Sequence, residues 1–220
     1  MKLLYGFLIL LSVKAFAVPV AINRRDVKFP TQQMVEKQTF TNPAAAGTAD
    51  VLSAHAGNTS AAAATASTFV AQPDVPRNLV ITPGGTTGDV EGCFVTVTGT
   101  DFNGASLTEQ FQFVPNQSTG STGVKAFKTV SLVSFAAGCE SGSFAATWSV
   151  GYGERLGLKS CVANAGDFFF SLLNGSKEAT APTLYVHATI LASNNADFNG
   201  TMDGSADFVL YFMQNFNCFP

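Results

Sequence analysis

Charge is scarce in this sequence. Asp, Glu, Lys and Arg together make up 12% of 220 residues, about half of the roughly 25% usual in a soluble domain. Twelve Lys and Arg stand against fifteen Asp and Glu, a net charge of −3. That balance offers no basic footprint for a nucleic acid. Histidine is nearly absent, with only His55 and His187, so little material exists for proton transfer at neutral pH. No two cysteines are spaced C-x-x-C, which argues against a structural zinc. Neither a Walker A sequence nor G-x-G-x-x-G occurs, so the usual phosphate cradles are missing. No apolar stretch reaches the ~20 residues that span a bilayer as a helix.

What the chain does have is a core and many turns. Hydrophobic residues are 46%, with 20 Phe, and 20 Gly and 9 Pro punctuate the apolar runs. That mixture excludes a disordered chain, a coiled coil and a collagen-like repeat. The first residues read as a targeting segment. Lys2 is followed by the apolar run Leu3–Val13 and by Ala15-Phe16-Ala17, the pattern of a secretory signal cut after Ala17. Lys14 within the last part of that pattern is tolerated there. Residues 1–17 are therefore read as a possible signal peptide, whose loss would leave a net charge of −5.

Residues 18–72 change texture. Charges cluster between Arg24 and Lys37, and then come Ala44-Ala45-Ala46 and Ala61-Ala62-Ala63-Ala64 amid Thr, Ser and Gly. No apolar stripe marks a helix face. The expectation is an extended arm, either laid along a neighbouring subunit or serving as a flexible linker.

From Pro73 the period becomes two. Leu79-Val80-Ile81 reads as a short strand stopped by Pro83-Gly84-Gly85. Cys93, Val95 and Val97 share one face of a strand, with Phe94, Thr96 and Thr98 on the other. Asp101-Phe102-Asn103-Gly104 then turns the chain, Asn-Gly being the strongest short hairpin signal. The return strand alternates Leu107, Glu109, Phe111 and Phe113 with Thr108, Gln110 and Gln112. Further strands are expected around Val130 and Leu132, and along Trp148, Val150 and Tyr152 to Gly153. Phe168–Leu173 reads as a strand buried on both faces or a short core segment. Leu184, Val186, Ala188 and Ile190 alternate in another, a second Asp197-Phe198-Asn199-Gly200 marks a turn, and Phe208–Met213 closes the series. The fold class is thus all-β, an antiparallel β-sandwich or barrel-like domain over residues 73–220, completed by strands from 161–220 and preceded by the Ala/Thr-rich arm.

Few residues suggest chemistry. Asp197, Asn199, Asp203 and Asp207 could offer oxygens to calcium, but their spacing departs from the EF-hand loop, and Asx-rich turns account for them as well. His187 sits on the polar side of its strand. Ser141 lacks the G-x-S-x-G frame that presents a nucleophile. Asn58, Asn116, Asn174 and Asn199 open short N-x-[S/T] sequons, which arise readily in a Thr/Ser-rich chain. No catalytic, cofactor-binding or metal-ligating residue is expected, and enzyme is the weakest class. Cys93, Cys139, Cys161 and Cys218 are either two disulfides or four buried thiols. If disulfides, sequential pairing is favoured, Cys93 with Cys139 and Cys161 with Cys218, because each bond then closes a unit within one half of the sandwich.

One stretch carries a family likeness. Pro73-Asp74-Val75-Pro76-Arg77-Asn78-Leu79 is followed by Val95-Thr96-Val97-Thr98-Gly99-Thr100, Asp101–Gly104 and Leu107-Thr108-Glu109. Gly123-Val124-Lys125-Ala126-Phe127-Lys128-Thr129-Val130 and Gly151-Tyr152-Gly153-Glu154-Arg155-Leu156-Gly157-Leu158 complete the string. Over residues 73–158 it resembles β-rich minor structural or head-decoration proteins of tailed bacteriophages. The resemblance implies a non-enzymatic component of the virion surface, homo-oligomeric and in contact with capsid or tail proteins, with no nucleic acid and no small-molecule substrate. The export signal and the disulfides fit a different reading, an exported or periplasmic bacterial β-sandwich that binds through its surface.

Overall fold

The computed structural model describes residues 34–56, 62–141, 143 and 145–215. Among them the regular structure is strand, with two 3-10 turns at Thr87–Asp89 and Leu191–Ser193. The strands are β1 (Met34–Phe40), β2 (Leu52–Ala56), β3 (Ala64–Ala66), β4 (Arg77–Gly85), β5 (Phe94–Thr100), β6 (Ser106–Gln112) and β7 (Ser121–Thr122). They continue as β8 (Thr129–Phe135), β9 (Ala146–Gly157), β10 (Phe168–Leu173), β11 (Ser176–Lys177), β12 (Thr183–Tyr185), β13 (Asn195–Asp197) and β14 (Phe208–Gln214). All their pairings are antiparallel. One sheet runs β1-β14-β10-β11, a second β12-β13-β9-β4-β7 with β2 also on β9, and a third β3-β8-β5-β6.

The long strand β9 organises the molecule. Its first half sends Ala146, Trp148, Val150 and Tyr152 into a core shared with Leu79, Ile81, Val95, Val97, Phe111, Val133 and Phe135. Its end sends Leu156, with Leu158 just beyond, into a second core built by Phe40, Phe198, Phe208, Leu210 and Phe212. Trp148 is fully buried, edge-on to Phe113 at 4.8 Å, and its Nε1–H donates to Glu140 Oε1 at 3.0 Å. Donor and apolar surface are thus both satisfied, as a buried tryptophan requires.

The central hairpin follows its sequence pattern. Phe94 to Thr100 pair residue by residue with Gln112 to Ser106. Asp101 Oδ1 accepts the N–H groups of Asn103 and Ala105 in the turn, and Gly104 takes φ +85. Leu107, Glu109, Phe111 and Phe113 face inward and Thr108, Gln110 and Gln112 face out. Cys93 and Cys139 are bonded, with Cα atoms 5.0 Å apart. Cys161 is fully buried and is not a free thiol. Its expected partner Cys218 lies outside the described residues, as do residues 1–17, the Ala17 cleavage site and Asn58.

Several expectations are corrected. The stretch 34–72 is not an extended arm where it is described. β1 pairs with β14 over seven residues, β2 pairs with β9, and β3 pairs with β8. Single apolar residues (Phe40, Val51, Leu52, Ala66) reach the cores there, and runs this short show no period. β4 continues through Pro83, which lies opposite Trp148. Thr86 N donates to Ala145 O, so even-numbered residues of β4 face β9 and the missing N–H of Pro83 falls on the open side, where proline costs no ladder bond. β9 likewise runs past Gly153 to Gly157. In β8 a register shift opposite Thr98/Gly99 changes the inward set from Val130 to Val133 and Phe135, leaving Leu132 half-buried. β10 is not buried on both faces, since its sheet has a core on one side only. Phe169 is 51% exposed, and Phe170 covers itself against Tyr211 at 4.5 Å. Residues 186–190 leave the sheet after β12. Asn194 ties that segment down, its Nδ2 donating to His187 O and Ile190 O while Oδ1 accepts His187 N.

Candidate functional site

Residues 73–79 and 151–158, far apart in the sequence, meet at one point of the sheet. Leu79 pairs with Tyr152 and Arg77 with Leu156, so three residues of β9, Gly153-Glu154-Arg155, face the single residue Asn78. This is a bulge of two extra residues, which breaks the ladder and re-aims side chains. Asn78 spans it with its amide, Oδ1 accepting Arg155 N at 2.9 Å and Nδ2 donating to Gly123 O at 2.9 Å. Gly153 has to be glycine, because a Cβ there would lie 2.1 Å from Asn78 Oδ1.

Arg77 closes the joint from the other side and is fully buried. Its Nε and Nη2 both donate to Gly153 O, at 2.9 and 2.6 Å. Nη1 donates to Ala44 O at 3.0 Å and to Asp74 Oδ1 at 3.1 Å. The guanidinium carbon stands 5.0 Å from the ring centroid of Tyr152. Asp74 in turn accepts Ala44 N and Val75 N. The planar fork of arginine serves several carbonyls at once, which a lysine could not do. Tyr152 O–H donates to Gln72 O at 2.7 Å, and burial, helped by Asp74 and Asp50, pushes its phenol above the ordinary value.

Around the bulge the surface is hollow. A groove of about 360 Å³ is lined by Gly47, Asn78, Tyr152, Glu154, Arg155 and Asp197, among others. A second, of about 350 Å³, lies beyond Glu154 and is walled by Phe198, Gly200 and Met202. Arg155 stacks on Tyr185 at 3.8 Å and makes no ion pair among the described residues. A third cavity, about 430 Å³, sits by β1, with Lys37, Lys159, Thr39, Asp74 and Phe102 in its walls.

Glu109 is the most unusual titratable group. It points inward from β6 and is only 8% exposed. Burial raises its carboxyl above the ordinary range, against the pull of the Val124 and Lys125 N–H groups that donate to it. It thereby holds the segment after β7 against the hairpin.

The other residues singled out in the sequence stay apart and are structurally engaged. His187 Nδ1 accepts the N–H groups of Thr189 and Ile190, and His55 stacks on Phe135. Ser141 Oγ donates to Glu91 Oε1. Asp203 accepts from Ser205 within its own turn, and Asp207 accepts Asn42 N. Among the described residues no three His, Cys, Asp or Glu are placed to hold a metal ion. In the sequence Arg77 appears only within the string 73–79, and nothing there marks the Arg77–Gly153 joint, whose partners are 76 residues apart. Glu154 and Arg155 at the grooves lie in no chemical motif that marks them in the sequence. Comparison of the chain with family models, with curated proteins and with solved structures finds no match.

Proposed function

We propose that this chain is a non-enzymatic structural protein of a tailed-phage virion, at the particle surface and acting by assembly with capsid or tail proteins and with itself. The observation that carries the reading is where the phage-like string lies in the fold. Its two ends form the Arg77–Asn78–Gly153 joint between two cores, so the likeness belongs to the framework. A scaffold likeness of that kind supports a shared architecture, and the role in assembly is carried over from it by analogy. The outer face of the third sheet supports the same reading. Thr96, Thr98, Thr108, Gln110 and Gln112 lie there beside Phe94, which is 47% exposed, and uncharged surface with an aromatic suits protein contact.

A second reading, an exported bacterial β-sandwich, is favoured by the Cys93–Cys139 bond, because such bonds persist in oxidising compartments. Peptide mass spectrometry of gradient-purified particles separates the two. The virion reading expects the chain in stoichiometric amounts with Met1–Ala17 retained. Absence from particles, with recovery of a chain beginning at Val18 from the periplasm or medium, would overturn it.

A further inference from the structure

We propose that copies of this chain join head to tail, with Glu154 of one copy entering the lysine-lined cavity beside β1 of the next. The inference rests on the self-assembly reading above and names the contact.

Glu154 is displayed at a cost. The two-residue bulge gives up regular pairing between β4 and β9, and Glu154 has no ladder partner on β4, β13 or β2. Its side chain is exposed on the rim shared by two grooves, and its carboxylate has no partner among the described residues. The adjacent cation does not neutralise it, because Arg155 is held over Tyr185. Bulges commonly serve to aim one side chain at a partner, and here the one aimed is an acid.

The opposite charge waits elsewhere on the same chain. Lys37 and Lys159 wall the β1 cavity, and Lys128 stands over its Phe102. Lys159 pairs with Glu36, but Lys37 and Lys128 have no carboxylate partner among the described residues. Lys37 Nζ rests 5.9 Å from the Tyr211 ring centroid, and Lys128 Nζ 6.0 Å from that of Phe102. The acid in the wall, Asp74, is already spent on Arg77, Ala44 N and Val75 N. The unmet charge in and beside the cavity is therefore positive, from Lys37 in its wall and Lys128 over Phe102. At about 430 Å³ the cavity has room for a glutamate side chain and its waters.

A knob and a socket at different places on one surface make a heterologous contact, which builds rings or filaments. In a chain with only 12% charged residues, few other charges compete for either side. Charge complementarity of this kind sets register and partner choice.

The test is a charge swap on the full chain, read by sedimentation velocity across the micromolar range. All three substituted residues are exposed, and circular dichroism with a urea midpoint checks folding. The parent should associate, more weakly at high salt. Glu154→Lys alone, and Lys37→Glu with Lys128→Glu alone, should each weaken association on the order of a hundredfold. In an equimolar mixture of the two variants every knob meets an opposite socket, so assembly should return. If Glu154→Lys does not fold, Glu154→Gln takes its place and should weaken association by at least about tenfold. A monomeric parent, a variant that assembles like the parent, or a folded mixture that stays apart would overturn the contact. If the chain is nonetheless found on purified particles, the virion reading stands and only this contact falls.

Discussion

Replacing Arg77 by alanine should cost a large fraction of the fold's stability. The side chain is fully buried and supplies hydrogen bonds to two carbonyls, Gly153 O and Ala44 O. A hydrogen bond to a charged group contributes about 1.5–3 kcal/mol net, and an orphaned buried acceptor forfeits a similar amount. The Asp74 pair adds under about 1 kcal/mol, because its carboxylate is partly solvated at 28% exposure. The expected loss is about 4 kcal/mol, in line with the ~3–5 kcal/mol measured when one partner of a buried charge pair is removed. Against a typical 5–15 kcal/mol for a domain, that is a large fraction. Arg77→Lys keeps the charge but cannot fork to both carbonyls, so it should lose about 2 kcal/mol. Equilibrium urea unfolding at pH 7 measures both, with an unchanged slope if the transition stays two-state. An Arg77→Ala protein within about 1 kcal/mol of the parent would refute the assignment of Arg77 as the tie between the cores.

Gly153→Ala should cost about 3 kcal/mol by driving Asn78 off its two bonds, and much less in an Asn78→Ala background; additive losses in that double-mutant cycle would contradict the clash. Converting Cys93 and Cys139 to serine opens a loop of 46 residues and should lower stability by about 4 kcal/mol on the chain-entropy account, read as the difference in urea midpoint between parent and variant without reductant, where Cys161 keeps its bond in both. Glu109 binds its proton more tightly folded than unfolded. Its contribution is therefore fully present below the ordinary carboxyl value of 4.5 and is lost as pH rises through the raised value. Glu109→Gln should accordingly be the more stable protein at pH 7 and match the parent near pH 4; a parent that gains on the variant as pH rises would reverse that sign.

The all-β class and the central hairpin were legible because their signals are local. An Asn-Gly turn between two strictly alternating runs specifies its own pairing. The same tetrapeptide at 197–200 had a different fate. There Phe198 packs between Phe40 and Phe208, at 5.7 and 5.0 Å, and Gly200 N donates to Glu178, so tertiary contacts outweigh the turn signal. β2 and β3 were invisible because three to five residues rich in Ala, Ser and Thr show no period. The bulge at 153–155 was equally hidden, since it exists only opposite Asn78, and its hallmark glycine reads in sequence as an ordinary strand terminator. The cations in and beside the β1 cavity come from three separate stretches of chain, and no spacing rule connects Lys37 and Lys159 in its wall with Lys128 over Phe102.

The pairing of β1 with β14 has a consequence for synthesis. Residues 34–40 find their partners only at 208–214, so the first described strand waits on the ribosome until nearly the whole chain has emerged. During that interval its edge and the apolar Phe40 lie open, as unfinished sheets do when their contacts are far apart in sequence. The central hairpin and β8, whose partners lie within about forty residues, can form meanwhile. The order of assembly would then run from the middle of the chain outward, with the first sheet the last to close and the stage most open to mispairing between nascent copies.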